Sequence, residues 1–268
     1  MRDVGLLNKL RSFFFHVSPT LHKLKLSLGR WFLGRGKPCP VADWNRKFAA
    51  GEWSFLDSEP ESLRFAVTAN LLDSLRPSGL PILDVGCGAG TLLRHLGAAS
   101  SSRYVGLDIS SEALAIASSR APVGSSFVLA SADEPLPDSL EQFGPFGAIV
   151  LSEVLYYLRD PVSAILRYKP LLAPGGILLI SLWRPFNHST LCLRLSRHLS
   201  FSARVSVASS RGAPWKILVG TYRDRSVKVP CLRGPRELGV PAFFLVSLAQ
   251  SLVEIGPLAE SFAQFAPV

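Results

Sequence analysis

The sequence predicts an α/β protein: an open, doubly wound, mostly parallel seven-stranded sheet that ends in an antiparallel hairpin. Three observations carry that reading. Apolar runs of strand length alternate with amphipathic stretches from Pro81 to Trp183, the pattern of strand–helix–strand units. Several runs, such as "GAIVL" and "ILLISL", are apolar throughout, as strands covered on both faces must be. A glycine-rich loop, "DVGCGAG", separates the first run from the amphipathic stretch that follows it, at the carboxyl end of a strand, where such sheets take ligands.

The elements follow in order. After Pro40 the text is aromatic and polar, and apolar residues at helical spacing (Leu63, Phe65, Ala66, Ala69, Leu71, Leu72) predict a helix over 62–75 that stops before "RPSG". "PILDVG" is the first strand, and "TLLRHLG" is expected to open a helix. "RYVGLDIS" is the second strand, and "SEALAIASSRA" the next helix, with Ser110 or Ser111 as N-cap. "SSFVLASAD" and "PFGAIVLSEV" are strands three and four. "PVSAILRYKPLLAPGG" reads as a helix running into a Pro-Gly-Gly turn before the fifth strand, "ILLISLW". "HSTLCLRLSRHL" predicts one more helix, and "ARVSVAS" with "WKILVGTYR" the closing hairpin. Beyond residue 226 the chain is apolar but interrupted by Gln250 and Glu254. A packed helix is expected there, not a membrane span.

Composition narrows the class. With 48% hydrophobic and 18% charged residues, the chain is globular. Four scattered cysteines (Cys39, Cys87, Cys192, Cys231) show neither metal nor disulfide-framework spacing, so no metal is expected and a reducing, cytoplasmic setting fits. The net charge of +9 is concentrated: residues 1–48 hold ten Lys/Arg against two Asp/Glu, and the rest nineteen against eighteen. Three parts are therefore expected: a basic, aromatic extension over 1–43, a near-neutral strand–helix domain over 44–225, and an apolar extension over 226–268. The first lacks a cleavable secretory signature. It fits a solvated helical extension, an interfacial membrane contact or a nucleic-acid arm. Loss of vesicle co-sedimentation on deleting residues 1–40 would select the membrane contact, and unchanged sedimentation would exclude it. No nucleic-acid reading is expected of the near-neutral body.

Glycines between a strand and a helix let a ligand touch the main chain. In a dinucleotide fingerprint the third glycine follows the second by three residues. Counted from Gly88 that position is Thr91, and the pattern closes instead at Gly90. Asp84 stands at the strand tip, where a carboxylate repels phosphate and suits a cationic amine, and the lysine of a phosphate-binding loop is missing.

"LDVGCGAG" resembles the first motif of class I S-adenosylmethionine-dependent methyltransferases, which have a Rossmann-like fold. Asp108, ending "YVGLD", stands where that family carries the acid for both ribose hydroxyls, and Asp133 in "SAD" matches the acidic position beside the adenine. "VLSEVLYYLRDP" and "LLAPGGILLIS" correspond to the fourth strand and the turn after it. "GEWSFLDSEPESLRFA" with "LSEVLYYL" is similar to the nodulation-type (NodS-like) small-molecule N- and O-methyltransferases. The likeness spans roughly residues 44–223. It implies S-adenosyl-L-methionine as cofactor, bound by Asp84, Gly86, Cys87, Gly88, Gly90, Asp108, Ile109, Ala132, Asp133 and Ser152. Arg64 is the candidate for its carboxylate or else a solvated helix residue, and Asp133 alone could instead cap a helix before "EPLPDSL". Trp53 and Phe55 either cover this site or anchor the N-terminal segment.

A methyl group on a sulfonium is already activated, so the protein must align an acceptor and exclude water. At the end of the fourth strand, Glu153 is expected to orient the acceptor or take its proton, with Tyr156 and Tyr157 shaping the space. The alternative is that Glu153 bonds backbone amides or contacts the cofactor, and the tyrosines are core. His188 could reach the same mouth or cap a helix. The implied partner is a small-molecule acceptor with a nitrogen or oxygen nucleophile, sugar-like, lipid-linked or a secondary metabolite. The competing readings are a non-catalytic partner subunit of the same fold and a nicotinamide-dependent dehydrogenase.

Overall fold

The computed structural model describes residues 38–183, 188–208 and 214–223. The chain divides into two units, Met1–Arg223 and Asp224–Val268. The basic extension before residue 38 and the C-terminal helix expected beyond 226 lie outside the described residues.

Seven strands form one sheet: β1 (Ile82–Val85), β2 (Tyr104–Asp108), β3 (Ser126–Leu129), β4 (Phe146–Ser152), β5 (Leu172–Trp183), β6 (Leu199–Ala208) and β7 (Pro214–Tyr222). Their order is β3-β2-β1-β4-β5-β7-β6. The first five are parallel, and β7 runs antiparallel to both β5 and β6. The expected doubly wound sheet with a terminal hairpin is therefore the fold. Strand order reverses between β1 and β4, so their carboxyl ends splay apart and leave a crevice.

The central strands contain little but Val, Ile, Leu and Ala because both of their faces are covered. Leu83, Val85, Ile149, Leu151, Leu179 and Ile180 are all fully buried. Helix α1 (Val41–Ala49) precedes α2 (Glu59–Leu75), which buries Phe65, Ala69, Leu71 and Leu72. Arg64 and Thr68 of α2 are buried too, an unusual place for a guanidinium unless it is held. Helix α4 (Ser111–Arg120) starts at Ser110, whose Oγ accepts from the Ala113 amide at 3.1 Å. Asp160 similarly caps α5 (Pro161–Arg167), and α6 (Ser189–Ser196) precedes β6.

Two local expectations need correction. The stretch "TLLRHLG" does not open an α-helix: a 3₁₀ turn covers Leu92–His95, and a separate four-residue helix, α3 (Ala98–Ser101), follows. Gly97 lies extended between them at ψ 161°. Burial of Leu92, Leu93 and Leu96 rewards the compact path, whereas a helix through Gly97 would cost about 1 kcal/mol. The "APGG" segment is not a turn before the fifth strand but lies within β5. The register on β4 jumps there from Phe146↔Leu172 to Ala148↔Ile177, with Gly175 at φ +75°. Between β3 and β4 a 3₁₀ turn (Asp138–Phe143) replaces a crossover helix.

Candidate active site

A cavity of about 510 Å³ opens at the carboxyl ends of β1, β2 and β4, a size suited to a small-molecule ligand or cofactor. Its floor is the loop after β1. Gly86 adopts φ +74°, and a Cβ there would stand 2.7 Å from Val154 Cγ2. Only glycine allows this turn. Gly90, expected on the ligand, does not line the cavity. Its Cβ would meet that of Ala117 at 3.2 Å, so its smallness serves the approach of α4. The loop leads into a 3₁₀ turn and so does not present an α-helix N-terminus to a diphosphate.

Asp108 ends β2 at the rim of this floor. Its Oδ2 accepts from the Gly88 amide at 2.8 Å and its Oδ1 from the Ser110 amide at 2.9 Å. Both oxygens are thus aimed by backbone and keep further lone pairs for a ligand. Burial raises its pKa, against the lowering effect of backbone N–H groups of Ser110, Gly88 and Ile109. Ile109, Ala132 and Asp133 line the same end of the cavity. Asp133 is more occupied than its sequence context suggests: both carboxylate oxygens accept from the Arg159 amide, at 2.9 and 3.2 Å. The Ala132 carbonyl accepts from Arg167 at 2.6 Å.

Asp84 lies at the back. It is 2% exposed; its Oδ2 accepts from the Tyr104 hydroxyl at 2.7 Å, and its Oδ1 is buried without a partner. Burial pushes its pKa up to about 7. Asp84 is among the residues that line the cavity, and such an orphan oxygen awaits a donor. Cys87 also lines the cavity, its Sγ packed where a Cβ on Gly106 would stand 2.8 Å away. Arg64 enters from α2 at 2% exposure. Its Nη1 donates to Ser152 Oγ at 2.6 Å and its Nη2 to Glu61 Oε2 at 2.8 Å, while the guanidinium lies 4.0 Å over the Phe65 ring. Glu61 and Ser152 therefore hold the very fork expected to bind a ligand carboxylate.

Beyond β4 the chain turns sharply. Glu153 adopts φ +60°, the one non-glycine residue with positive φ among those described. Backbone strain of that kind costs of order 1–3 kcal/mol and concentrates at functional sites. Here it brings the carboxylate between two hydroxyls: Ser181 Oγ donates to Oε1 at 2.6 Å and Tyr156 to Oε2 at 2.5 Å. Burial, followed by the Glu153 charge, raises the Tyr156 pKa, so the phenol stays protonated and donates. His188 stacks on Tyr156 with ring centroids 5.8 Å apart, and its Nε2 meets the Trp183 carbonyl at 2.8 Å. An oxygen acceptor there places the ring proton on Nε2. Its side chain does not cap α6.

The roof is aromatic. Trp44 of α1 sits 5.5 Å from Trp53 and edge-on to Tyr157 at 5.0 Å, and Trp53 sits 5.6 Å from Phe55. All four line the cavity, so Trp53 and Phe55 cover the site. Asp57 ties this roof to the body through Thr91 (3.2 Å), Arg120 (3.3 Å) and Arg94.

The structure therefore brings Arg64, Asp84, Gly86, Cys87, Gly88, Asp108, Ile109, Ala132, Asp133, Ser152, Glu153 and Tyr156 to one cavity and leaves Gly90 out of its walls. Trp44, Glu61, Tyr104 and Ser181 were not foreseen. Only Tyr104 left a trace in the sequence, as a phenol two and four residues before Gly106 and Asp108 on one face of an otherwise apolar strand.

Residues 83–178 match the methyltransferase domain family. Ubiquinone biosynthesis O-methyltransferases resemble the chain in sequence. That of Xanthomonas axonopodis pv. citri is 32% identical over 110 residues, covering 40% of this chain and 44% of the relative. That of Alkalilimnicola ehrlichii is 30% identical over 162 residues, covering 59% and 57%. The chain thus spans about half the length of these curated relatives. In structure it resembles the N-methyltransferase NodS of Bradyrhizobium japonicum WM9 in complex with S-adenosyl-L-homocysteine, at TM-score 0.57 and 23% identity over 69% of this chain and 98% of that one. The 1,6-didemethyltoxoflavin-N1-methyltransferase of Burkholderia thailandensis gives a TM-score of 0.53 at 17% identity, covering 69% and 87%. These two likenesses establish the fold.

Proposed function

From a chain that carries a methyltransferase domain with the class I fold, we propose an enzyme that transfers the methyl group of S-adenosylmethionine to nitrogen or oxygen of a small-molecule acceptor. The observation that carries the proposal is Asp108: a carboxylate at the cavity end of β2, both oxygens aimed by the amides of Gly88 and Ser110. Two vicinal hydroxyls call for such a bidentate acceptor.

The residues present fit the cofactor. Asp108 would take the ribose hydroxyls, and Asp84 Oδ1, buried and unpartnered, the ammonium. The N–H groups of Arg64 not held by Glu61 and Ser152 would take the carboxylate. Ile109 and the neighbourhood of Ala132 and Asp133 would flank the adenine. When bound, the cofactor supplies an electrophilic methyl carbon on a positively charged sulfur. The chain's own part is orientation and dryness: the roof of Trp44, Trp53, Phe55 and Tyr157 excludes water. Glu153, braced by Ser181 and Tyr156, accepts the acceptor's proton or a hydrogen bond from it.

Calorimetric titration with S-adenosylhomocysteine tests the proposal, with NAD as control. The parent protein should bind the nucleoside and not NAD, and Asp108→Ala should weaken binding by about tenfold or more. Undiminished affinity in that variant, or preference for NAD, overturns the assignment. Incorporation of radiolabelled methyl into a fractionated cell extract then separates an enzyme from a non-catalytic subunit of the same fold.

A further inference from the structure

The buried carboxylate behind the glycine loop has a neighbour that touches no ligand space. Tyr104 opens β2, is fully buried, and does not line the cavity. On its strand it shares a face with Gly106 and Asp108, and the parallel register sets Gly106 beside Asp84. The tyrosine hydroxyl donates to Asp84 Oδ2 at 2.7 Å. That bond leaves Oδ1, buried and without a partner among the described residues, as the oxygen free to take a further donor. Every other group facing this carboxyl has its own commitment. Arg64 of α2 is held by Glu61 and Ser152, Asp108 of β2 by two amides, and Cys87 of the loop by packing on Gly106. On the opposite side β4 presents Val150 in register with Asp84. Among the described residues, Tyr104 is the side chain that hydrogen-bonds Asp84 and so occupies one of its two oxygens.

We propose that Tyr104 is a positioning residue that holds Asp84 by Oδ2 and keeps Oδ1 free for a donor, making capture of a ligand ammonium conditional on loss of the Asp84 proton. The inference rests on the functional reading above and adds to it a residue and a pH dependence. Its electrostatics are consistent. Burial raises the Asp84 pKa to about 7, with Asp108 adding to the rise and the Tyr104 bond and Arg64 opposing it. An ammonium beside Oδ1 favours the ionised carboxyl. Below that pKa, binding must expel a proton from Asp84 into solvent, so affinity falls up to about tenfold per pH unit. Above it, no proton is released and affinity levels off. Replacing the hydroxyl removes a hydrogen bond that favours the charged form, so the inflection must move to higher pH.

The test is calorimetry of the full chain with S-adenosylhomocysteine, whose neutral thioether leaves the ammonium as its one cation, from pH 5.5 to 8. Two buffers of different ionisation heat count the protons. The parent protein should release close to one proton per ligand at pH 5.5 and none at pH 8, with affinity inflecting near neutrality. Tyr104→Phe should shift that inflection upward, and Asp84→Asn should abolish both the proton release and the inflection. Binding without proton release in the parent protein overturns the proposal even if the Tyr104 variant fails to fold. So does a Tyr104→Phe variant with the parental inflection. No binding at any pH would instead sink the functional reading itself.

Discussion

Glu153 concentrates three features in one side chain: a left-handed backbone, a half-buried setting shared with two hydroxyl donors, and a place at the carboxyl end of the strand flanking the switch point. Two donors fix the carboxylate's direction while leaving lone pairs on both oxygens for an incoming acceptor. Glu153→Gln keeps the volume and some of the bonding but removes the charge. It should therefore lower kcat by about 100-fold with cofactor affinity close to parental. Steady-state kinetics and calorimetry on the same preparation check this, and a parental kcat would assign Glu153 to bracing alone. Sequence and structure part most often at this scale. Asp84, Gly86 and Asp108 announce themselves through motif spacing, since the loop geometry dictates their types. The partners that aim them, such as Ser110 for Asp108, Glu61 for Arg64 and Ser181 for Glu153, come from other elements, and no local pattern reveals which hydroxyl or carboxylate will arrive.

The strand–helix alternation was readable because each strand is buried on both faces and must be apolar. The same logic explains the misread "TLLRHLG". Leu92, Leu93 and Leu96 suit a helix face, yet their burial is obtained equally by a 3₁₀ turn, and periodicity alone does not separate the two. The roof was half legible: its aromatic residues are evident, but their closure over the cavity depends on long-range ties to Asp57 and on Ser110 donating to Asn45 of α1 at 2.8 Å. Asp57 shows how little energy such a tie needs. Its partners Arg94 and Arg120 are 38% and 48% exposed, so solvent screening limits their contribution to stability to under about 1 kcal/mol. Their importance is positional, since they hold the turn Ser54–Asp57 and with it Phe55. Asp57→Ala should thus leave the melting temperature within a few degrees of the parent and speed release of S-adenosylhomocysteine several-fold. Tryptophan fluorescence in a stopped-flow instrument reads this through Trp44 and Trp53. High salt should accelerate release in the parent protein and have little effect in the variant.

For the whole molecule, the free cavity is a debt held against the sheet's stability. Asp84 carries a buried oxygen with no donor, and the Trp53 indole N–H is likewise buried and unpartnered. Each costs roughly 1–3 kcal/mol of lost solvation, which the core of β1, β4 and β5 outweighs. The Asp84 contribution has a definite pH sign. An unfolded carboxyl titrates near 3.8 and the folded one near 7. Below the first value both states hold the proton. As pH rises toward the second, the unfolded chain gives it up and the folded one does not, so stability declines across that window. Above it the folded protein carries a buried, half-satisfied charge. A ligand whose ammonium meets Asp84 relieves that charge, so its stabilising effect must grow with pH over the interval in which the free protein weakens. At a ligand concentration of 100 Kd the linkage amounts to about 2.7 kcal/mol, which for a body of this size raises the melting temperature by roughly 5–10 °C. Scanning calorimetry with a fixed concentration of S-adenosylhomocysteine should give a larger rise at pH 8 than at pH 6, and equal rises in Asp84→Asn. Equal rises in the parent protein would mean that the cation binds away from the carboxylate behind the loop, and the cavity's electrostatic logic would have to be rebuilt from Arg64 and Glu61.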